Sequence, residues 1–80
     1  MTDQAESERE LVYPGPQAEE FVCGYLDGAQ GAALERAFER RRPDRELLPA
    51  FAYGWCRGHA DLKGHRPLYD RVEQWLARRV

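Results

Sequence analysis

Residues 24–29 read GYLDGA and residues 54–59 read GWCRGH, so the chain contains two Gly-x-x-x-Gly frames that each enclose an aromatic residue. Glycines four positions apart lie on one face of a helix, where their missing side chains let another backbone approach closely. Such close helix crossings are best documented in membrane proteins. The frames predict either a tight crossing of two helices in one core or a homodimer interface. The glycines concerned are Gly24, Gly28, Gly54 and Gly58.

Working outward from the first frame, the spacing of apolar residues predicts a long helix from Pro16 to Arg41. Proline at a first helical position needs no backbone donor, and Pro43 ends the pattern. Gly24, Gly28 and Gly31 inside this helix are expected to serve close packing or to mark a kink. The predicted apolar stripe consists of Val22, Leu26, Ala29, Ala33 and Ala37, widened by Phe21 and Tyr25.

The second frame lies in a helix predicted to begin at Pro49 and to stop at Gly64, a residue suited to the left-handed conformation. Its apolar face carries Phe51, Trp55 and Leu62. A third helix opens at Pro67 and runs nearly to the carboxyl terminus. Its apolar face is marked by Leu68, Val72, Trp75 and Leu76.

Low β-branched content excludes a sheet, because the chain has one threonine, four valines and no isoleucine, and no segment alternates with period two. The predicted fold is therefore all-α: a compact three-helix domain over residues 13–80, preceded by a disordered acidic arm over residues 1–12. The first ten residues hold four acidic side chains and Arg9, with too little apolar surface to fold.

Length and composition narrow the function. Eighty residues make one small module with little room for a deep catalytic cleft. No apolar run approaches the roughly 20 residues of a membrane span, and no signal peptide is evident, so we expect a cytoplasmic protein. Because no nucleophile elbow, phosphate loop or dinucleotide fingerprint is present, we expect neither enzymatic activity nor a cofactor.

Four soft metal ligands occur in the chain, which is the number that a closed zinc site requires. They are Cys23, Cys56, His59 and His65. Their spacings match no standard zinc frame, and a lone cysteine is often a small buried apolar residue. The prediction is therefore that no metal binds, with these four as the only candidate ligands.

An arginine cluster surrounds the predicted turn between the first two helices, and arginine forms planar, bidentate contacts with phosphate. The cluster consists of Arg36, Arg40, Arg41, Arg42 and Arg45. It is either a phosphate-binding edge or a solvated helix end compensated by Glu35 and Glu39. Three tyrosines are the aromatic candidates for contact with RNA or with a protein partner: Tyr25, Tyr53 and Tyr69.

Residues 54–60 (GWCRGHA), 67–69 (PLY) and 74–76 (QWL) resemble ribosome modulation factor and its relatives, which are short bacterial proteins. The resemblance covers about a third of the chain, and the first glycine frame can equally be aligned with the family's first motif. It implies a helical hairpin and a ribosomal partner.

We therefore expect a small, non-enzymatic regulatory module that binds the ribosome or its RNA. The alternative is a phage- or plasmid-type inhibitor or adaptor that binds a host protein and can form a homodimer. Charge balance favours the alternative, because residues 11–80 are close to neutral.

Overall fold

The computed structural model describes residues 15–79, which form four helices and no strand. Helix α1 spans Pro16–Ala29, α2 spans Leu34–Arg41, α3 spans Leu48–Lys63 and α4 spans Tyr69–Arg79. The all-α prediction is confirmed for this part of the chain. The predicted acidic arm lies outside the described residues, as does Val80.

The predicted first helix is in fact two helices, so the count of three was wrong. Helix α1 stops at Ala29, and Gly31 adopts a left-handed backbone with φ of 88°. Ala33 is extended before α2 begins at Leu34. Because glycine alone enters the left-handed region without a steric penalty, Gly31 marks the break. The apolar spacing continued through it because α2 has a buried face of its own.

The other predicted ends hold with small shifts. Helix α3 begins one residue before Pro49 and ends at Gly64, which is left-handed with φ of 74° and donates its N–H to the carbonyl of Ala60. Helix α4 begins at Tyr69 rather than at Pro67.

Helices α1 and α3 run parallel and cross in direct backbone contact at the two glycine frames. A Cβ added at Gly24 would overlap the carbonyl oxygen of Phe51, and one at Gly28 would overlap that of Trp55. A side chain on any of the four glycines would therefore force the helices apart. The Cα–H groups in these positions point at carbonyl oxygens of the facing helix, a contact that recurs at close helix crossings.

The contact is reciprocal, which reveals an internal repeat. Gly54 meets the carbonyl of Phe21 as Gly24 meets that of Phe51, and each pair of equivalent residues is 30 positions apart. Residues 21–28 (FVCGYLDG) and 51–58 (FAYGWCRG) share the pattern Phe-x-x-Gly-aromatic-x-x-Gly. The two segments are thus related by an approximate two-fold axis that runs between α1 and α3.

The predicted stripe on α1 is not the packing face. Val22 and Leu26 are 53% and 50% exposed, whereas the buried residues of α1 are Glu20, Gly24 and Gly28. The prediction was wrong because periodicity detects apolar side chains, whereas the α1–α3 interface is made by glycines, which have none. Of the predicted stripe, Ala37 on α2 is fully buried.

Large side chains build the core on the other side of α3. The buried cluster consists of Ala37, Leu48, Phe51, Ala52, Cys56, Val72 and Trp75. Trp75 is 7% exposed and Trp55 packs against the cluster, so both tryptophans belong to one core as predicted. Leu62 and Leu68, placed on apolar faces by their spacing, are instead 49% and 44% exposed.

Candidate functional site

The predicted arginine cluster is divided between structural and free side chains. Arg41 binds the carboxylate of buried Glu20 on α1, with Nη2 2.8 Å from Oε2 and Nε 3.2 Å from both oxygens. This hydrogen bonding raises the pKa of Arg41 above its ordinary value. Arg40 pairs with Asp27 at 3.1 Å. These two arginines fasten α2 to α1.

Three members of the cluster remain exposed and have no ion pair within residues 15–79, namely Arg36, Arg42 and Arg45. Arg42 is the carboxyl cap of α2 and is left-handed with φ of 49°. The expected compensation by Glu35 is not found, because Glu35 binds Arg79 and Trp75 on α4.

The three candidate tyrosines do not form one surface. The hydroxyl of Tyr25 donates to the carboxylate of Asp61 across the α1–α3 crossing, and this hydrogen bond raises the pKa of Tyr25. Tyr53 contacts Tyr69 edge to face, with ring centroids 5.7 Å apart, and donates to Glu73 at 3.3 Å. Tyr69 is 37% exposed.

The candidate glycine faces are occupied within the chain. Gly24 and Gly28 lie against α3, and Gly54 and Gly58 lie against α1. A homodimer through either face would have to displace the facing helix of the same molecule.

A half-open cavity of about 210 Å³ lies between α3 and α4, beside the start of α2. We call it the His–Arg cavity. Its apolar walls are Leu34, Trp55, Cys56, Leu68, Val72 and Trp75, and its polar walls are His59, His65, Arg71 and Arg78. Of these residues, the described part of the chain shows no ion pair for Arg71 or Arg78.

The aromatic wall of the cavity is fixed by packing and hydrogen bonds. Trp55 stacks on His59 with ring centroids 4.6 Å apart and planes 14° apart, and its Nε1 donates to the carbonyl of Ala32 at 2.7 Å. His65 lies 5.8 Å from His59 between ring centroids, and its Nδ1 is 2.7 Å from the carbonyl oxygen of Arg66. The rings are therefore held in place without a ligand.

Burial shifts the pKa of two groups that line the cavity. It lowers the pKa of His59 below its ordinary value of 6.5, with smaller effects of Lys63 and His65 in the same direction. It raises the pKa of the Cys56 thiol. A raised pKa reduces the fraction of Cys56 present as thiolate, the reactive form of cysteine.

The candidate zinc ligands come together only in part. Cys56, His59 and His65 all line the His–Arg cavity, whereas Cys23 lies beside Ala18 and Arg41 on another face. Within residues 15–79, no three His, Cys, Asp or Glu side chains are placed to share a metal ion.

The sequence analysis did not select Arg71 and Arg78, because they lie outside the arginine cluster of residues 36–45 and are seven positions apart. The spacing of seven between them, which places both on one face of a helix, was the available signal.

Comparison with known proteins identifies no relative: no protein family, curated protein or solved structure matches the chain. Among the described helices, none has the length and apolar character needed to cross a membrane.

Proposed function

We propose that the protein is a non-enzymatic module that binds single-stranded ribosomal RNA and so modulates the ribosome. The observation that supports this function best is a pair of exposed arginines, Arg71 and Arg78, which have no ion pair within residues 15–79 and lie beside the aromatic wall of the His–Arg cavity. Arginine supplies contacts to phosphate, and aromatic rings supply stacking surfaces for bases. The resemblance of residues 54–60 to ribosome modulation factor points to the ribosome as the source of the RNA.

The charge distribution supports binding at this face despite a near-neutral chain. Arg40, Arg41 and Arg79 are held by carboxylates, so they are poorly available to a polyanion. Within the described residues, a second group of arginines without an ion pair consists of Arg36, Arg42 and Arg45. The hollow beside Arg45 contains one ring, Phe38, over which Arg79 already lies. The candidate RNA contact therefore moves from the predicted cluster to α4.

Co-sedimentation with ribosomes in low-salt gradients tests this function. We expect Arg71→Ala/Arg78→Ala to lose binding and to keep the helical spectrum, because both side chains are exposed. The matched control, Arg36→Ala/Arg42→Ala, removes the same charge elsewhere. Each phosphate contact to single-stranded RNA adds about 0.7 to the magnitude of the slope of log affinity against log salt, so loss of two contacts should reduce that magnitude by about 1.4.

Absence of the protein from every ribosomal fraction at low salt would overturn the proposal. Equal loss of binding in the two double variants would show that net charge, and not the cavity face, determines binding. That result would also contradict the proposal.

A second candidate function is a protein-binding inhibitor or adaptor of a host protein. It is favoured by the half-exposed Val22 and Leu26, which lie four residues apart on the outer face of α1. Retention of one stoichiometric protein in a nuclease-treated pull-down, and its loss in Val22→Ser/Leu26→Ser, would support this function. Sedimentation of the purified protein tests whether the same face joins two copies of the chain.

A further inference from the structure

We propose that the His–Arg cavity receives one unstacked nucleotide, with the base against its aromatic wall and the phosphate at Arg71 and Arg78. This inference rests on the proposed function and specifies its ligand. The chain would bind single-stranded RNA by holding one unstacked base of the strand in the cavity. The same chemistry is offered by a free nucleoside monophosphate, so the test below separates the two sources.

The size of the cavity suits a single ring system. Its volume of about 210 Å³ falls below the roughly 300–1,000 Å³ typical of drug-sized ligands. The walls are mostly apolar side chains, and no buried side-chain nitrogen or oxygen in the described residues lacks a hydrogen-bond partner. The cavity therefore favours a flat, largely apolar group and makes no demand for one particular pattern of hydrogen bonds. We expect little base specificity.

The aromatic wall supplies the stacking energy. The rings of Trp55, His59 and His65 border the cavity, and the indole is anchored by its hydrogen bond to Ala32. Trp55 and His59 already stack on each other, so a bound base would extend this stack rather than enter it. Because the rings are already in position, little conformational entropy is lost in ordering them when a base binds. Stacking on aromatic side chains is the usual way in which proteins hold unpaired bases.

The charged residues of the cavity carry one sign. In the described part of the chain, none of the residues lining it is acidic, and the charged side chains in the lining are Arg71 and Arg78. A phosphate attached to the bound base would therefore meet guanidinium groups without a competing carboxylate. An apolar ligand alone would leave these groups unused, which is why we assign an anionic aromatic ligand.

Three other hollows lack this combination. The hollow on α1 contains Glu19, and the one at the start of α4 contains Asp70. The hollow between α2 and α4 contains Arg45, but its single aromatic ring, Phe38, is covered by the guanidinium group of Arg79. The His–Arg cavity alone among these four joins unpaired arginines to several aromatic rings.

Tryptophan fluorescence of the full chain tests the assignment, because Trp55 and Trp75 both border the cavity. The probes are adenosine and uridine monophosphates, the corresponding nucleosides, inorganic phosphate, a short single-stranded oligonucleotide and its duplex. We expect saturable quenching by both monophosphates, tighter binding of the single strand, and none by the duplex. In Arg71→Ala/Arg78→Ala the affinity should fall at least about tenfold, whereas Arg36→Ala/Arg42→Ala should bind like the parent.

Absence of saturable quenching by monophosphates and single strands overturns the assignment. So does competition by inorganic phosphate as strong as that by the nucleotide, which would mark an anion site only. If ribosomes still bind when nucleotides do not, this inference fails while the proposed function stands. If nucleotides bind and ribosomes do not, the cavity assignment stands while the ribosomal function fails.

Discussion

The two faces of helix α3 are packed in opposite ways. Toward α1 the helix presents Gly54 and Gly58, and the contact is made by backbone atoms. Toward α4 it presents Tyr53 and Cys56, and large side chains such as Trp75 complete the core. The first interface has no room for an added methyl group, whereas the second leaves a cavity of about 210 Å³.

This difference separates the part of the molecule that fixes the fold from the part available for binding. A backbone contact specifies one crossing geometry because any lateral shift brings carbonyl oxygens into collision. Packing by large rings fills space incompletely and leaves arginines and histidines at the edge of the gap. Helix α3 belongs to both regions, because its Trp55, Cys56 and His59 line the His–Arg cavity while its Gly54 and Gly58 contact α1.

Removal of Trp75 should have the largest effect, because it breaks the side-chain interface at its centre. Trp75 is 7% exposed, contacts Phe38 edge to face, and donates to Glu35 at 2.6 Å. Trp75→Ala should cost about 3–5 kcal/mol, enough to unfold a domain of this size. The half-exposed Leu62 is the control, since Leu62→Ala should change stability by roughly 1 kcal/mol or less. A Trp75→Ala variant with the melting temperature of the parent would show that Trp75 is not at the centre of this interface.

A methyl group at Gly54 should break the backbone interface. Gly54→Ala improves helix propensity by up to about 1 kcal/mol, but its Cβ would lie 2.8 Å from the carbonyl carbon of Phe21 and closer still to the oxygen. We expect a net loss of roughly 1–3 kcal/mol in urea denaturation. Ala77→Gly at an exposed site on α4 measures the propensity contribution alone. A rise in the melting temperature of Gly54→Ala would show that the two helices do not touch.

Loss of Arg41 should cost about 1–2 kcal/mol, since it leaves the buried carboxylate of Glu20 without its partner. Arg36→Ala, on the same helix and exposed, should leave the unfolding midpoint close to that of the parent. Equal stability of these two variants would contradict the structural assignment of Arg41. Ribosome binding should be measured for both variants in parallel, because this measurement separates the structural role of Arg41 from a role in contacting RNA.

The smallest expected effect is on the pH dependence of stability. Burial lowers the pKa of folded His59, so the unfolded chain takes up a proton at higher pH than the folded protein. The stabilisation from neutral His59 is complete above its ordinary pKa of 6.5 and is lost as pH falls through the lowered value. Urea midpoints should therefore decline less on acidification in His59→Gln than in the parent. Identical declines would place His59 outside the buried wall.

Much of the fold was accessible from sequence. Proline and glycine located three of the helix ends near Pro16, Pro49 and Gly64, and the scarcity of β-branched residues excluded a sheet. Gly31 was a candidate for a kink, but the complete break of the helix there was not predicted, because the apolar spacing runs through it. The stripe of Val22 and Leu26 was misassigned because an interface of glycines has no apolar side chains for a periodicity to detect.

The site was less accessible than the fold. Arginine clustering drew attention to residues 36–45, yet which of those side chains are free depends on carboxylates distant in sequence, such as Glu20 for Arg41. The cavity is lined by residues that are far apart in the chain, from Leu34 at the start of α2 to Arg78 near the end of α4. Neither the ion pairs of the arginines nor the composition of the cavity walls produces a local pattern in the sequence.

The parallel, reciprocal crossing of α1 and α3 is the central claim, and nuclear Overhauser contacts between their backbones test it most directly. A Cβ at Gly24 would lie 2.9 Å from the amide nitrogen of Trp55, and one at Gly58 would lie 2.8 Å from that of Ala29. We predict strong contacts from the Gly24 Hα protons to the Trp55 amide proton and from those of Gly58 to the Ala29 amide proton. Contacts that instead join Gly24 to Gly58 would show an antiparallel pair and contradict the account.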